Sequence, residues 1–98
     1  MIYKYDLGVP CEIGQGNYIV PIQNATVKKV LDIQMQGERA VLWAEVEPAE
    51  FSDYLDIAIV WTGFQEPEMI SYFKTIQEPS TGLVYHYYVK NPMEDYDL

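Results

Sequence analysis

The sequence predicts an all-β fold: a compact antiparallel β-sandwich or small barrel of about six strands, with little helix. Three observations predict it. β-Branched and aromatic residues dominate every apolar run, and tyrosine alone occurs nine times, a composition suited to pleated, half-buried surfaces. Apolar segments recur at intervals of roughly ten residues, separated by turns that contain Gly or Pro. No segment carries the long i, i+3, i+4 pattern of an amphipathic helix. A chain of 98 residues has room for one core, so residues 1–90 are expected to form a single β domain. Residues 91–98, with Pro92, Glu94, Asp95 and Asp97, have little to bury and are expected to form an acidic, flexible tail.

The elements follow in order. Residues 2–5 alternate apolar and polar side chains and open a sheet. Beyond Gly8-Val9-Pro10, residues 11–20 hold one short strand or two, interrupted by Gly14 and Gly16. Residues 26–36 form the first long strand, with Leu31, Ile33 and Met35 on one face and Asp32 and Gln34 on the other. Lys28-Lys29 breaks that phase against Val27 and Val30, which predicts a bulge. The competing reading is a helix through Val27, Val30 and Leu31, and it would put Gln34 where the next apolar residue belongs. Within Gln36-Gly37-Glu38-Arg39, Gly37 supplies the positive φ of a hairpin turn. Residues 40–46 are apolar through Ala44 and predict a central strand covered on both faces. In 54–62, Leu55, Ile57, Ile59 and Trp61 share one side, Ala58 and Val60 the other, and Gly63 ends the strand. Residues 68–77 and 83–90 pair across Glu78-Pro79-Ser80-Thr81-Gly82, where Pro79 suits a turn and not a ladder.

Composition excludes several classes of function. Fifteen acidic and six basic side chains give a net charge of −9. Such a charge disfavours direct binding to nucleic acid or an anionic membrane, because both depend on neutralising phosphates. No apolar run approaches the roughly 18–20 residues of a membrane helix, and the first residues lack the basic-then-apolar order of a signal peptide. A single cysteine, Cys11, rules out an internal disulfide and a thiolate zinc site. A cytoplasmic protein is expected.

Three segments together resemble a small family of phage and bacterial proteins of unknown function. They are the opening Ile2-Tyr3-Lys4-Tyr5, the stretch 30–48 with Leu42-Trp43-Ala44 followed by Val46 and Pro48, and Thr62-Gly63 with the later Gly82-Leu83-Val84-Tyr85-His86. The family commonly follows Thr-Gly with His, where this chain has Phe64. The resemblance implies a compact, mainly β fold and a phage or prophage setting, hence the cytoplasm of a bacterial host. It brings no functional residue with it.

Catalytic constellations are scarce. His86 is the only histidine, so a site of several imidazoles is impossible; it falls on a strand face opposite Tyr85 and Tyr87, with no orienting partner evident. Cys11 lies beside Glu12, a poor setting for a reactive thiolate. Gly14-Gln15-Gly16-Asn17 lacks the third glycine and the Lys-Ser/Thr of a phosphate loop and reads as a turn. Glu45 and Glu47 share a strand face, and Asp53 and Asp56 follow the next loop, without EF-hand spacing; a solvated surface accounts for them. The protein is therefore expected to be no enzyme, with no cofactor and no metal.

Two surfaces stand out instead. Between Arg39 and Lys74 there is no basic residue, yet Glu45, Glu47, Glu50, Asp53, Asp56, Glu66 and Glu68 all fall there. Such a cluster steers association with a basic protein surface. The expected function is a non-catalytic phage-type accessory protein that binds and inhibits a host protein, one with a basic, nucleic-acid-binding surface, as a counter-defence factor. The second surface is aromatic: Trp61, Tyr72, Tyr85 and Tyr87 around Lys74 could line a pocket for a nucleotide-like ligand, between subunits of a homo-oligomer. A structural component of a phage particle is the third reading.

Overall fold

Alternation and turn chemistry turn the apolar runs into seven strands in the computed structural model, which describes residues 1–90. They are β1 (Ile2–Gly8), β2 (Gly16–Ile22), β3 (Ala25–Gln36), β4 (Arg39–Pro48), β5 (Asp53–Trp61), β6 (Ser71–Gln77) and β7 (Val84–Val89). The expected acidic tail, 91–98, lies outside the described residues. A three-stranded sheet of order β1-β4-β3 packs on a four-stranded sheet of order β2-β5-β7-β6, and every pairing is antiparallel. The sandwich is open; no barrel closes. The shared core takes Leu7, Val20 and Ile22, then Val27, Val30, Ile33, Leu42, Ala44 and Val46, and from the other sheet Leu55, Ile57, Ile59, Ile76, Tyr85, Tyr87 and Val89.

Several expectations need correction. Residues 10–13 form a single helical turn, α1 (Pro10–Ile13), where a strand was expected. Pro10 opens it at a position that needs no N–H, and Gly14, at φ 80°, closes it by donating its N–H to the Pro10 carbonyl. In β3, Leu31 does not share the face of Ile33: it is 39% exposed. The register against β4 slips at Lys28, as expected, and again at Leu31. Two bulges three residues apart turn a period of two into a period of three, so Val27, Val30 and Ile33 all point inward. β4 is central, but its outer side is only partly covered: Val41 is buried, Trp43 half-buried and Glu45 exposed. β6 starts at Ser71, not at 68, because Met69 adopts φ 62° and breaks the extended run.

The connection from β5 to β6 positions the site. Both strands are antiparallel to β7, which lies between them, so they run parallel to each other. Residues 62–70 must therefore travel back along the sheet. Ile70 packs on Ala58, Val60 and Tyr88, which places this crossover on the outer face of the four-stranded sheet. No helix among the described residues is long and apolar enough to cross a membrane.

Candidate functional site: the outer face of the four-stranded sheet

The outer face of this sheet is built by residues that alternate with the core. Inward-facing Tyr85, Tyr87 and Val89 leave His86 and Tyr88 outward on β7; the same alternation turns Ala58 and Val60 outward on β5. On β6, Tyr72 stands opposite Tyr88 and Thr75 opposite His86. The crossover then supplies a wall, and a groove of about 370 Å³ results, lined by Trp61, Phe64, Glu66, Tyr72, His86 and Tyr88 among others.

Two edge-to-face ring pairs shape it: Trp61 on Phe64, with centroids 6.2 Å apart at 84°, and Tyr72 on Tyr88, 5.7 Å apart at 80°. The floor is a hydrogen-bonded chain. His86 Nε2 lies 2.9 Å from Thr62 Oγ1, its Nδ1 lies 2.9 Å from Thr75 Oγ1, and Thr75 Oγ1 in turn meets the Tyr72 hydroxyl at 2.8 Å. Both ring nitrogens are thus engaged with hydroxyls, an arrangement that fixes the ring and offers no carboxylate to orient a general base. Burial raises the Tyr88 phenol above the usual tyrosine range, and the nearby Glu66 carboxylate raises it further. Glu66 is the one charged side chain that lines the groove.

Charge is sorted between the two sides of the molecule. The three-stranded sheet and its turn carry Lys4, Lys28, Lys29 and Arg39, and Lys74 reaches across to it; facing these five cations are Asp6, Asp32, Glu38, Glu45 and Glu47. Three ion pairs join them: Lys28 to Glu47 at 3.0 Å, Lys74 to Asp32 at 2.6 Å, and Arg39 to Asp6. The Arg39 guanidinium holds the Asp6 carboxyl below the usual carboxylate range, and the Lys74 ammonium does the same for Asp32. The rest of the described chain sets Lys90 against Glu50, Asp53, Asp56, Glu66 and Glu68 at its surface, while Glu12 of α1 lies within electrostatic reach of Arg39. Of the seven acidic residues expected to share a face, Glu45 and Glu47 therefore sit on the charge-balanced outer side of the three-stranded sheet. Asp56 and Glu66 lie on the outer side of the four-stranded one, Glu68 is in its crossover, Glu50 precedes β5, and Asp53 is its first residue, opposite Ile22. No group of His, Cys, Asp or Glu among the described residues is placed to hold a metal ion.

The five residues expected to line a ligand pocket are not brought to one recess. Tyr85 and Tyr87 are core residues, 2% and 0% exposed, because their strand parity points inward. Lys74 is bound to Asp32 across the two sheets. Only Trp61 and Tyr72 share the groove. A second recess of about 480 Å³, lined by Cys11, Trp61, Leu83 and Tyr85 among others, opens at the end of the sandwich. Behind it the buried Glu78 carboxylate accepts from Thr81 Oγ1 at 2.8 Å and from the Tyr85 hydroxyl at 3.3 Å, so it closes the β6–β7 turn. His86, Phe64 and Tyr88 join the groove without having been singled out for it. Strand parity alone would have placed His86 and Tyr88 beside Val60, but nothing local foretold that Phe64 folds back over the sheet.

Fold and groove together define a small open β-sandwich with a polarised surface and an aromatic recess on its acidic side. The chain belongs to the family described as Domain of unknown function (DUF7352), whose model matches residues 1–96. No curated protein and no solved structure matches it.

Proposed function

We propose that the protein is a non-catalytic accessory protein of phage type, which binds and inhibits a host protein through the acidic side carried by the four-stranded sheet. The observation that supports this reading is the sorting of charge. Five cations are matched by five carboxylates on one side, while the other side keeps a surplus of carboxylates around exposed apolar groups. Ile19, Tyr54 and Phe64 are 61%, 58% and 57% exposed there. Acidic rims around apolar and aromatic anchors are what a basic protein surface recognises, charge setting the approach and the anchors the residence time. A host protein with a nucleic-acid-binding surface fits that description. The reading also places the protein in the cytoplasm of the bacterial host.

Native mass spectrometry of the tagged chain after incubation in bacterial lysate identifies the partner. Its association rate is then compared between two triple variants with equal changes in net charge. Glu50→Lys/Asp56→Lys/Glu68→Lys is expected to slow association about 10-fold or more at low salt, and added salt should narrow the gap. Glu38→Lys/Glu45→Lys/Glu47→Lys is expected to change it far less. Equal effects from both variants would refute the assignment to this side of the sandwich.

A further inference from the structure

We propose that the groove between the β5–β6 crossover and the four-stranded sheet receives an arginine side chain of the partner protein. This inference rests on the reading of the acidic side as a protein-binding surface, and names the chemistry at its centre. Four aromatic rings line the recess in two edge-to-face pairs, so each pair forms two walls at nearly a right angle. Ring faces attract cations, and a planar guanidinium stacks on them better than a compact ammonium does. Glu66 stands at the same recess and offers the carboxylate that a guanidinium grips through two parallel hydrogen bonds. Among the described residues no lysine or arginine lines the groove, and its one imidazole, His86, is engaged by threonine hydroxyls at both nitrogens. The nearest candidate by sequence, Lys74, faces the opposite way on its strand and is held by Asp32. The recess is thus a cation site with no cation of its own.

The groove's shape favours a side chain over a free small molecule. Phe64 and Tyr72 are each 57% exposed, so the recess is open and would leave much of a detached ligand in water. An arginine delivered by a folded partner needs no further enclosure, because the partner's own surface covers the rim. The His86 chain ties the floor together: Thr62 and Thr75 engage both ring nitrogens and turn the imidazole away from Glu66 as a partner.

The test uses the full chain with Trp43→Phe, which leaves Trp61 as the sole indole reporter. Trp43 lies on the other sheet, away from the groove. Its fluorescence is titrated with two blocked hexapeptides of equal charge, (Gly-Arg)3 and (Gly-Lys)3. The arginine peptide is expected to bind at least about 5-fold more tightly. That preference should disappear in Glu66→Gln and in Phe64→Ala, whose thermal midpoints should stay close to the parent's because both residues are exposed. Equal, salt-sensitive binding of the two peptides would overturn the arginine site while leaving the acidic surface standing. An arginine preference that survives both substitutions would place the site elsewhere and overturn the groove assignment. If neither peptide binds, the arginine site fails, and the charge-reversal comparison alone then judges the wider reading.

Discussion

Ile57→Ala is expected to lower stability by about 2–5 kcal/mol, the cost of removing buried methyl groups and leaving a cavity between the sheets. Ile57 is fully buried on β5, opposite Tyr18 of β2 and Val89 of β7, and it belongs to the core that both sheets share. For a domain of this size each kcal/mol moves the melting midpoint by about 4–8 °C. A single substitution should therefore lower it by roughly 10 °C or more, and could consume much of a total stability of about 5–15 kcal/mol. Ile19→Ala is the matched control. Ile19 lies on the neighbouring strand, faces outward and is 61% exposed, so its loss should fall within about 0.5 kcal/mol of zero. Calorimetry of the two variants checks the inward and outward parity of the four-stranded sheet directly. Similar losses from both would show that the outer face is packed against something, and a near-zero loss from Ile57 would contradict the sandwich.

That parity was legible in the sequence for β5. Leu55, Ile57 and Ile59 alternate with Ala58 and Val60, and nothing disturbs the phase. It was not legible for β3. There the two bulges give Val27, Val30 and Ile33 the spacing of a helix face, while pairing with β4 keeps the backbone extended. Local pattern and long-range pairing conflict, and the pairing wins because a lone helical stripe would leave β4 without a partner on that side. The helical turn at Pro10 was missed for the opposite reason. Four residues carry too few periods to show a pattern, and Pro10 and Gly14 signal equally well a broken strand.

The candidate site was half legible. The surplus of acid between Arg39 and Lys74 is visible in composition, but which residues share a side depends on sheet membership. β4 and β5 are adjacent in sequence and lie in different sheets, so Glu45 and Glu47 part company with Asp56. The aromatic groove depends on a connection that passes over β7 to reach β6, and neither end of that connection announces its path. Lys74 shows the limit most plainly. A lysine among tyrosines suggests an anion site, yet the bulge between Tyr72 and Lys74 turns it toward β3, where Asp32 neutralises it.

Raising the pH above 10 should unfold the protein over a narrow range, because two phenols inside the sandwich resist ionisation. Burial pushes both Tyr18 and Tyr87 well above the usual tyrosine value, and Tyr18 raises Tyr87 further. Neither hydroxyl has a protein hydrogen-bond partner among the described residues that would stabilise a phenolate. The unfolded chain releases these protons near pH 10 and the folded chain holds them. Stability is thus fully present below about pH 10, and is lost as the pH climbs from there toward the raised values. Each tyrosine contributes a slope of about 1.4 kcal/mol per pH unit, so the two together remove about 3 kcal/mol per unit. Tyr18→Phe/Tyr87→Phe should leave stability at pH 7 unchanged or slightly raised, since it removes two buried hydroxyls without stranding a partner. It should also move the alkaline midpoint upward by about one pH unit. Circular dichroism during a base titration measures both. An alkaline midpoint unmoved in the double variant would mean that these two phenols are already ionised or solvated in the native state, and that other groups set the alkaline limit.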